Sequence, residues 1–131
     1  MTTWGESLAG EQLPRGDCLQ RLAGADLARI VLSVRALPVA LPTRISLSEP
    51  DGLVFTSNEH SVAVAARRRD VISVQIDGLE DDDSTWWVMV SGIARSAEEI
   101  SPVQLSHIHE IDHGAKLYVM PLSIITGRRS R

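Results

Sequence analysis

Across residues 53–76 the pattern of apolar and polar positions changes period twice. Residues 53–57 form a short apolar run that ends at Asn58. Residues 61–69 gather Val62, Ala63, Ala65 and Ala66 ahead of three arginines, and residues 71–77 alternate Ile72, Val74 and Ile76 with Ser73 and Gln75. These periods predict strand, loop, short helix and strand. A loop rich in hydroxyls, together with a helix start, is therefore held between two strands. The N-terminus of a helix presents free backbone N–H groups with the positive end of the helix dipole behind them, an arrangement suited to a phosphate. A serine there also serves as a plain N-cap, and the spacing alone favours the cap.

The rest of the chain arranges itself around this stretch. Residues 1–13, small and polar apart from Trp4, Leu8 and Leu13, read as an N-terminal arm, and residues 14–131 as one domain. Pro14 opens a helix that places Cys18, Leu19, Leu22 and Ala23 on one face, and Gly24 stops it. Residues 27–35 have period two, with Ala28, Ile30, Leu32 and Val34 set against Arg29, Ser33 and Arg35, as in a strand with one wet face. Leu37 and Pro38 are expected to make the turn into a second strand at 39–47, where Pro42 predicts an edge or a bulge. Residues 48–52 predict another hairpin turn. Residues 86–96 read as one long strand with large apolar groups on both faces, so both faces should be covered. Residues 116–120 alternate again. Six or more short strands with few helical pieces point to an antiparallel barrel, whose closure removes exposed sheet edges.

Composition narrows the function. At 131 residues, with 44% apolar and 23% charged positions, the chain has the make-up of one soluble globular domain. Its net charge of -4 argues against general nucleic-acid binding. The single cysteine, Cys18, excludes an intrachain disulfide and suits a reducing compartment; within a helical pattern it reads as a buried structural thiol. Neither a signal peptide nor a membrane span is evident, so a cytoplasmic protein is expected. The run Glu80, Asp81, Asp82 and Asp83 reads as a solvated loop. His109 and His113, four apart and near His107, lack a third ligand at a telling spacing, and no metal site is expected.

Through the ending IITGRR at 124–129 and the stretch TWWVMVSGIA at 85–94, the sequence resembles the pyridoxamine 5′-phosphate oxidase-like family of FMN-binding split β-barrels, in particular its small actinobacterial-type members. The ending resembles the family's closing strand, and the stretch at 85–94 resembles its GWSVLVRGRA strand. The central stretch aligns without a gap to VFRTAPGTKLAAALRGDPVAFEVD through Val54, Phe55, Ala65, Arg68, Asp70, Val74 and Asp77. The resemblance implies a mainly β fold, a six-stranded antiparallel split β-barrel with short helices, assembled as a homodimer with FMN, or the deazaflavin F420, at the interface. It further implies an oxidoreductase acting on an unidentified small molecule. Thr43, Arg44, Thr56, Ser57, Ser61 and Arg68 would meet the cofactor from one subunit, and Trp86 and Arg128 from the other. In such sites the flavin carries the redox chemistry, so no catalytic triad need be visible.

This chain departs from the family pattern at the phosphate. Thr56 and Ser57 stand where the pattern has Arg-Thr, and Ser61 and Val62 where it has Thr-Lys. Pro42, Thr43, Arg44 and Ile45 replace Pro-Val-Asn-Tyr, and Trp87 replaces a serine. Charge-assisted contacts are about twice as strong as neutral ones, so the loss of two cations weakens phosphate binding. Two readings follow. Arg44, with Arg67 or Arg68, supplies a replacement charge; or the pocket has lost FMN, with Trp87 as the plug, and the dimer is a non-catalytic barrel that binds another ligand or a protein partner.

Overall fold

The structure, a computed structural model, describes residues 10–48, 52–96 and 115–130. Its elements run β1 (Glu11–Gln12), α1 (Arg15–Ala23), β2 (Leu27–Val34), β3 (Leu37–Ser48), β4 (Gly52–Ser57), α2 (His60–Arg68), β5 (Val71–Leu79), β6 (Thr85–Ile93), β7 (Arg95–Ser96), β8 (Lys116–Pro121) and β9 (Ile124–Arg129). The strands form one sheet in the order β1-β9-β6-β5-β2-β3-β4-β8-β7, and each pairing is antiparallel.

Nine strands are present among the described residues, rather than the six expected. The long strand expected at 86–96 is interrupted at Ala94 and becomes β6 and β7; the chain after Pro121 starts a separate strand, β9; and residues 11–12 at the end of the arm pair with β9. Since β7 follows β6 with only Ala94 between them, its pairing with β8 brings the far end of the ladder back to the stretch of chain from which β6 comes. The sheet thus curls into a barrel around one core. That core contains Ile30, Leu53, Phe55, Val62, Val74, Val88, Val90 and Met120, all with no measurable exposure, and it joins both helices to the sheet.

Local chemistry explains the main features. Pro14 precedes α1, Gly24 ends it, and Cys18 and Leu22 are its buried face. The turn between β2 and β3 is Arg35–Ala36, with φ of 52° and 65°, and Leu37 already pairs with Val34. The turn expected at Leu37 and Pro38 therefore lies two residues earlier, because a two-residue hairpin needs both residues left-handed and Arg-Ala carries no glycine or asparagine to announce it. Pro42 sits on the part of β3 that pairs with β2 alone, so its missing N–H interrupts no ladder. The acidic run closes the β5–β6 turn: Glu80 N–H donates to Ser84 O at 2.8 Å and Asp82 Oδ1 accepts from the Ser84 N–H at 3.0 Å. The Ser84 hydroxyl also donates to Asp82, and these two bonds hold the Asp82 carboxyl below the usual range.

Two close approaches lock the helical end of the barrel. A Cβ on Gly127 would lie 2.5 Å from Cys18 Sγ, so the missing side chain is what lets α1 rest on β9. Burial, followed by the neighbouring Asp17 carboxylate, pushes the Cys18 thiol up, as suits a structural group. Gly78 leaves room for the Trp86 indole, whose ring lies 4.6 Å beneath the Arg21 guanidinium, and Arg21 donates to Glu80 at 2.7 Å. No helix among the described residues is long and apolar enough to cross a membrane. The candidate histidine ligands and the turn at 49–51 lie outside the described residues.

A candidate cofactor pocket where β3 changes partner

β3 pairs with β2 from Leu37 to Arg44 and with β4 from Ile45 to Ser48. At that exchange β3 and β4 part, and the ladder between them ends at Ile45 and Phe55. The buried Thr43 side chain takes over where the backbone stops. Its hydroxyl donates to Thr56 O at 2.7 Å and accepts from the Thr56 N–H at 3.3 Å. One side chain thus satisfies both backbone groups that the parting of the strands would have orphaned.

Past this point the gap widens into a cavity of about 530 Å³, a volume within the range of small-molecule sites. Leu27 and Leu41 give it apolar wall; Thr43, Arg44, Thr56, Ser57, Asn58 and Glu59 give it a polar one. The two walls answer to different needs of a ligand, an apolar body and a polar or charged end.

The polar wall leads into α2. Glu59 is the N-cap residue, yet its side chain makes no capping bond, and the first turn contains no acidic residue. Ser57 Oγ accepts from the Glu59 N–H at 3.1 Å, which fixes the approach to the helix and leaves the Ser57 hydroxyl proton to donate elsewhere. The Arg44 side chain is exposed on the rim and makes no ion pair or hydrogen bond among the described residues. An anion here would meet Arg44, Ser57 and the dipole of α2, with the Glu59 carboxylate opposing them.

Of the residues singled out from the sequence, one protomer brings Thr43, Arg44, Thr56 and Ser57 into this pocket. Ser61 stands in the first turn of α2, two residues beyond the pocket wall. Arg68 is at the opposite end of that helix, exposed. Trp86 and Arg128 lie on β6 and β9, on the other side of β5 and β2, and do not reach the pocket of their own protomer. Trp87 lines a different hollow, with Gln75 and Asp77, and is not among the residues lining this one. Sequence reasoning missed Leu27, Leu41, Asn58 and Glu59, which are ordinary strand and loop residues until β3 and β4 diverge around them.

Comparison with known proteins agrees with the fold. A family model described as pyridoxamine 5′-phosphate oxidase matches residues 14–123. The chain belongs to that family. Among solved structures, it is similar to the FAD binding protein from Mycobacterium smegmatis, with 21% identity over 94% of this chain and 99% of that one, at a TM-score of 0.72. It is also similar to an FAD-binding protein from Mesorhizobium loti, with 18% identity over 92% and 96% and a TM-score of 0.73. A flavocytochrome from Azotobacter vinelandii shares 14% identity over 88% and 67%, at a TM-score of 0.60. At such identities the likeness is one of fold. A search of curated protein sequences gives no match.

The two positions at which the resemblance places a cation are structural in this chain. Val62, aligned with the family's lysine, has no measurable exposure and belongs to the core. Thr56, aligned with its arginine, is 7% exposed and bound through its backbone to Thr43. Putting lysine back at 62 would bury an ammonium, so the chain has committed that position to packing.

Proposed function

We propose that this protein is a flavin-binding split-barrel flavoprotein, a cytoplasmic homodimer that uses FMN, or the deazaflavin F420, in an oxidoreductase reaction on a small molecule. The observation that carries the reading is the pocket at the β3 exchange, in which an unpaired Arg44, the Ser57 hydroxyl and the uncapped N-terminus of α2 share one wall. These groups fit a flavin phosphate in kind, with one guanidinium in place of two cations. Leu27 and Leu41 would pack along the ring, and Thr43 would keep the pocket open by holding the parted strands. A bound flavin supplies hydride or electron transfer; the protein's part is to position it, exclude water and compensate its charge.

A second copy would complete the site with Arg128; Trp86 shares the inward side of β6 with Val88 and is held under Arg21 in its own protomer. Arg128 Nη1 donates to Gly10 O at 3.0 Å and its Nε has no partner among the described residues, while Trp87 and Met89 on the outer face of β6 are only half-buried. Such a face is suited to a second copy, and both faces of that strand would then be covered. The two similar FAD-binding proteins make FAD a third cofactor to try.

The test is the visible absorption spectrum of the purified full-length protein, taken alone and after incubation with FMN, FAD or F420 followed by desalting. A retained flavin band supports the proposal. A colourless protein in every case overturns it and favours a second reading, a non-catalytic dimer that binds another ligand or partner. That reading rests on Val62 being locked in the core and on the Glu59 carboxylate lining the pocket.

A further inference from the structure

A second cavity, also of about 530 Å³, lies toward the other end of α2. Ala63 and Ala66 form its floor on the helix, and Arg67, Arg69 and Lys116 rim it beside Tyr118. The three cations come from three places: the last turn of α2, its left-handed C-cap with φ of 60°, and the first residue of β8. Arginines at a helix C-terminus complement the dipole and need no ligand. Lys116 has no such explanation, since it is brought to the same hollow from a strand. Arg67, Arg69 and Lys116 are exposed, and none of their side chains forms an ion pair or hydrogen bond among the described residues. Arg95 also lines the cavity and is already engaged in another interaction. No described carboxylate lines it.

We infer that this cavity is a second anion site, separate from the pocket at β3, that takes a small phosphorylated ligand. Three like charges drawn together repel one another unless a counter-charge sits among them, and a multivalent oxyanion both relieves the repulsion and accepts their N–H bonds. The small alanines on the helix keep the floor open for a compact group. Tyr118 marks the site from within. Its ring stacks on Phe55 at 5.4 Å between centroids, and its phenol, raised by burial and lowered by Arg67, senses the charge at this rim.

Tyr118 is the only tyrosine in the sequence, so its ionisation is readable by ultraviolet absorbance in the full-length protein. The experiment titrates inorganic pyrophosphate at fixed ionic strength, set with sodium chloride, and follows the pH at which Tyr118 ionises. An anion bound beside the phenol disfavours the phenolate, so the expected result is a saturable move of that titration to higher pH. Arg67→Gln and Lys116→Gln each weaken the apparent affinity by about threefold, as for an exposed charged contact, and the double variant by more. These positions are exposed, so the variants should fold. No saturable shift, or a shift that is the same in the double variant, overturns the inference. Because the readout is Tyr118 itself, pyrophosphate bound only in the β3 pocket leaves the signal unmoved and counts against it, whatever the outcome of the flavin test.

Discussion

β6 and β3 are both long strands of the same sheet, yet they are built differently. β6 is paired over nearly its whole length, with β5 on one side and β9 on the other, and its inward Val88 and Val90 are fully buried. β3 is paired on one side at a time, first with β2 and then with β4. Where a strand has both neighbours, its backbone groups are consumed by the ladder and only side chains are left for function. Where it changes neighbours, polar groups and space are left over, and in this protein the candidate pocket is there. The closed region supplies stability; the exchange supplies a site.

The sharpest test of the closed region is Gly127→Ala on β9. The added methyl would meet Cys18 Sγ at 2.5 Å and Leu13 at 3.3 Å, so α1 must shift or strain. The expected loss is about 3 kcal/mol in urea denaturation. Cys18→Ala in the same chain should restore part of it, because the clash loses its partner. A neutral Gly127→Ala would mean that the contact between α1 and β9 is not tight.

Thr43→Val tests the exchange. It keeps the shape and removes the hydroxyl, leaving the Thr56 N–H and C=O without their partner, at a cost of about 1–2 kcal/mol. If stability is unchanged, the hydroxyl does not hold the parted strands. Arg44→Gln on the same strand should leave stability nearly intact and weaken flavin binding by about tenfold, measured by fluorescence titration. Equal affinity would remove Arg44 as the replacement charge.

The smallest expected effect concerns pH. The Tyr118 phenol is raised, chiefly by burial, so the folded state favours its neutral form. That contribution is fully present below the ordinary tyrosine value of about 10 and is lost as pH rises through the higher folded value. Against Tyr118→Phe, the native protein should therefore lose stability only at strongly alkaline pH. A difference that already changes near neutrality would contradict the burial of the phenol.

Much of this protein is legible in its residues, because periodicity and caps act within a few positions. Pro14 and Gly24 bracket α1, the alternation from Val71 marks β5, and the apolar run before Asn58 marks β4. The likeness of residues 85–94 to one family is also written in the chain, and the family match over residues 14–123 bears the family out; the ending at 124–129 lies beyond the matched residues. The Arg35–Ala36 turn was not legible, since neither residue announces a positive φ. Nor was the role of Val62, whose helical position is clear but whose burial depends on what packs over it. The exchange of partners by β3, the Thr43 bridge and the gathering of Arg67, Arg69 and Lys116 are long-range facts. They are decided by which strands meet, and that follows from burying one shared core rather than from any local pattern.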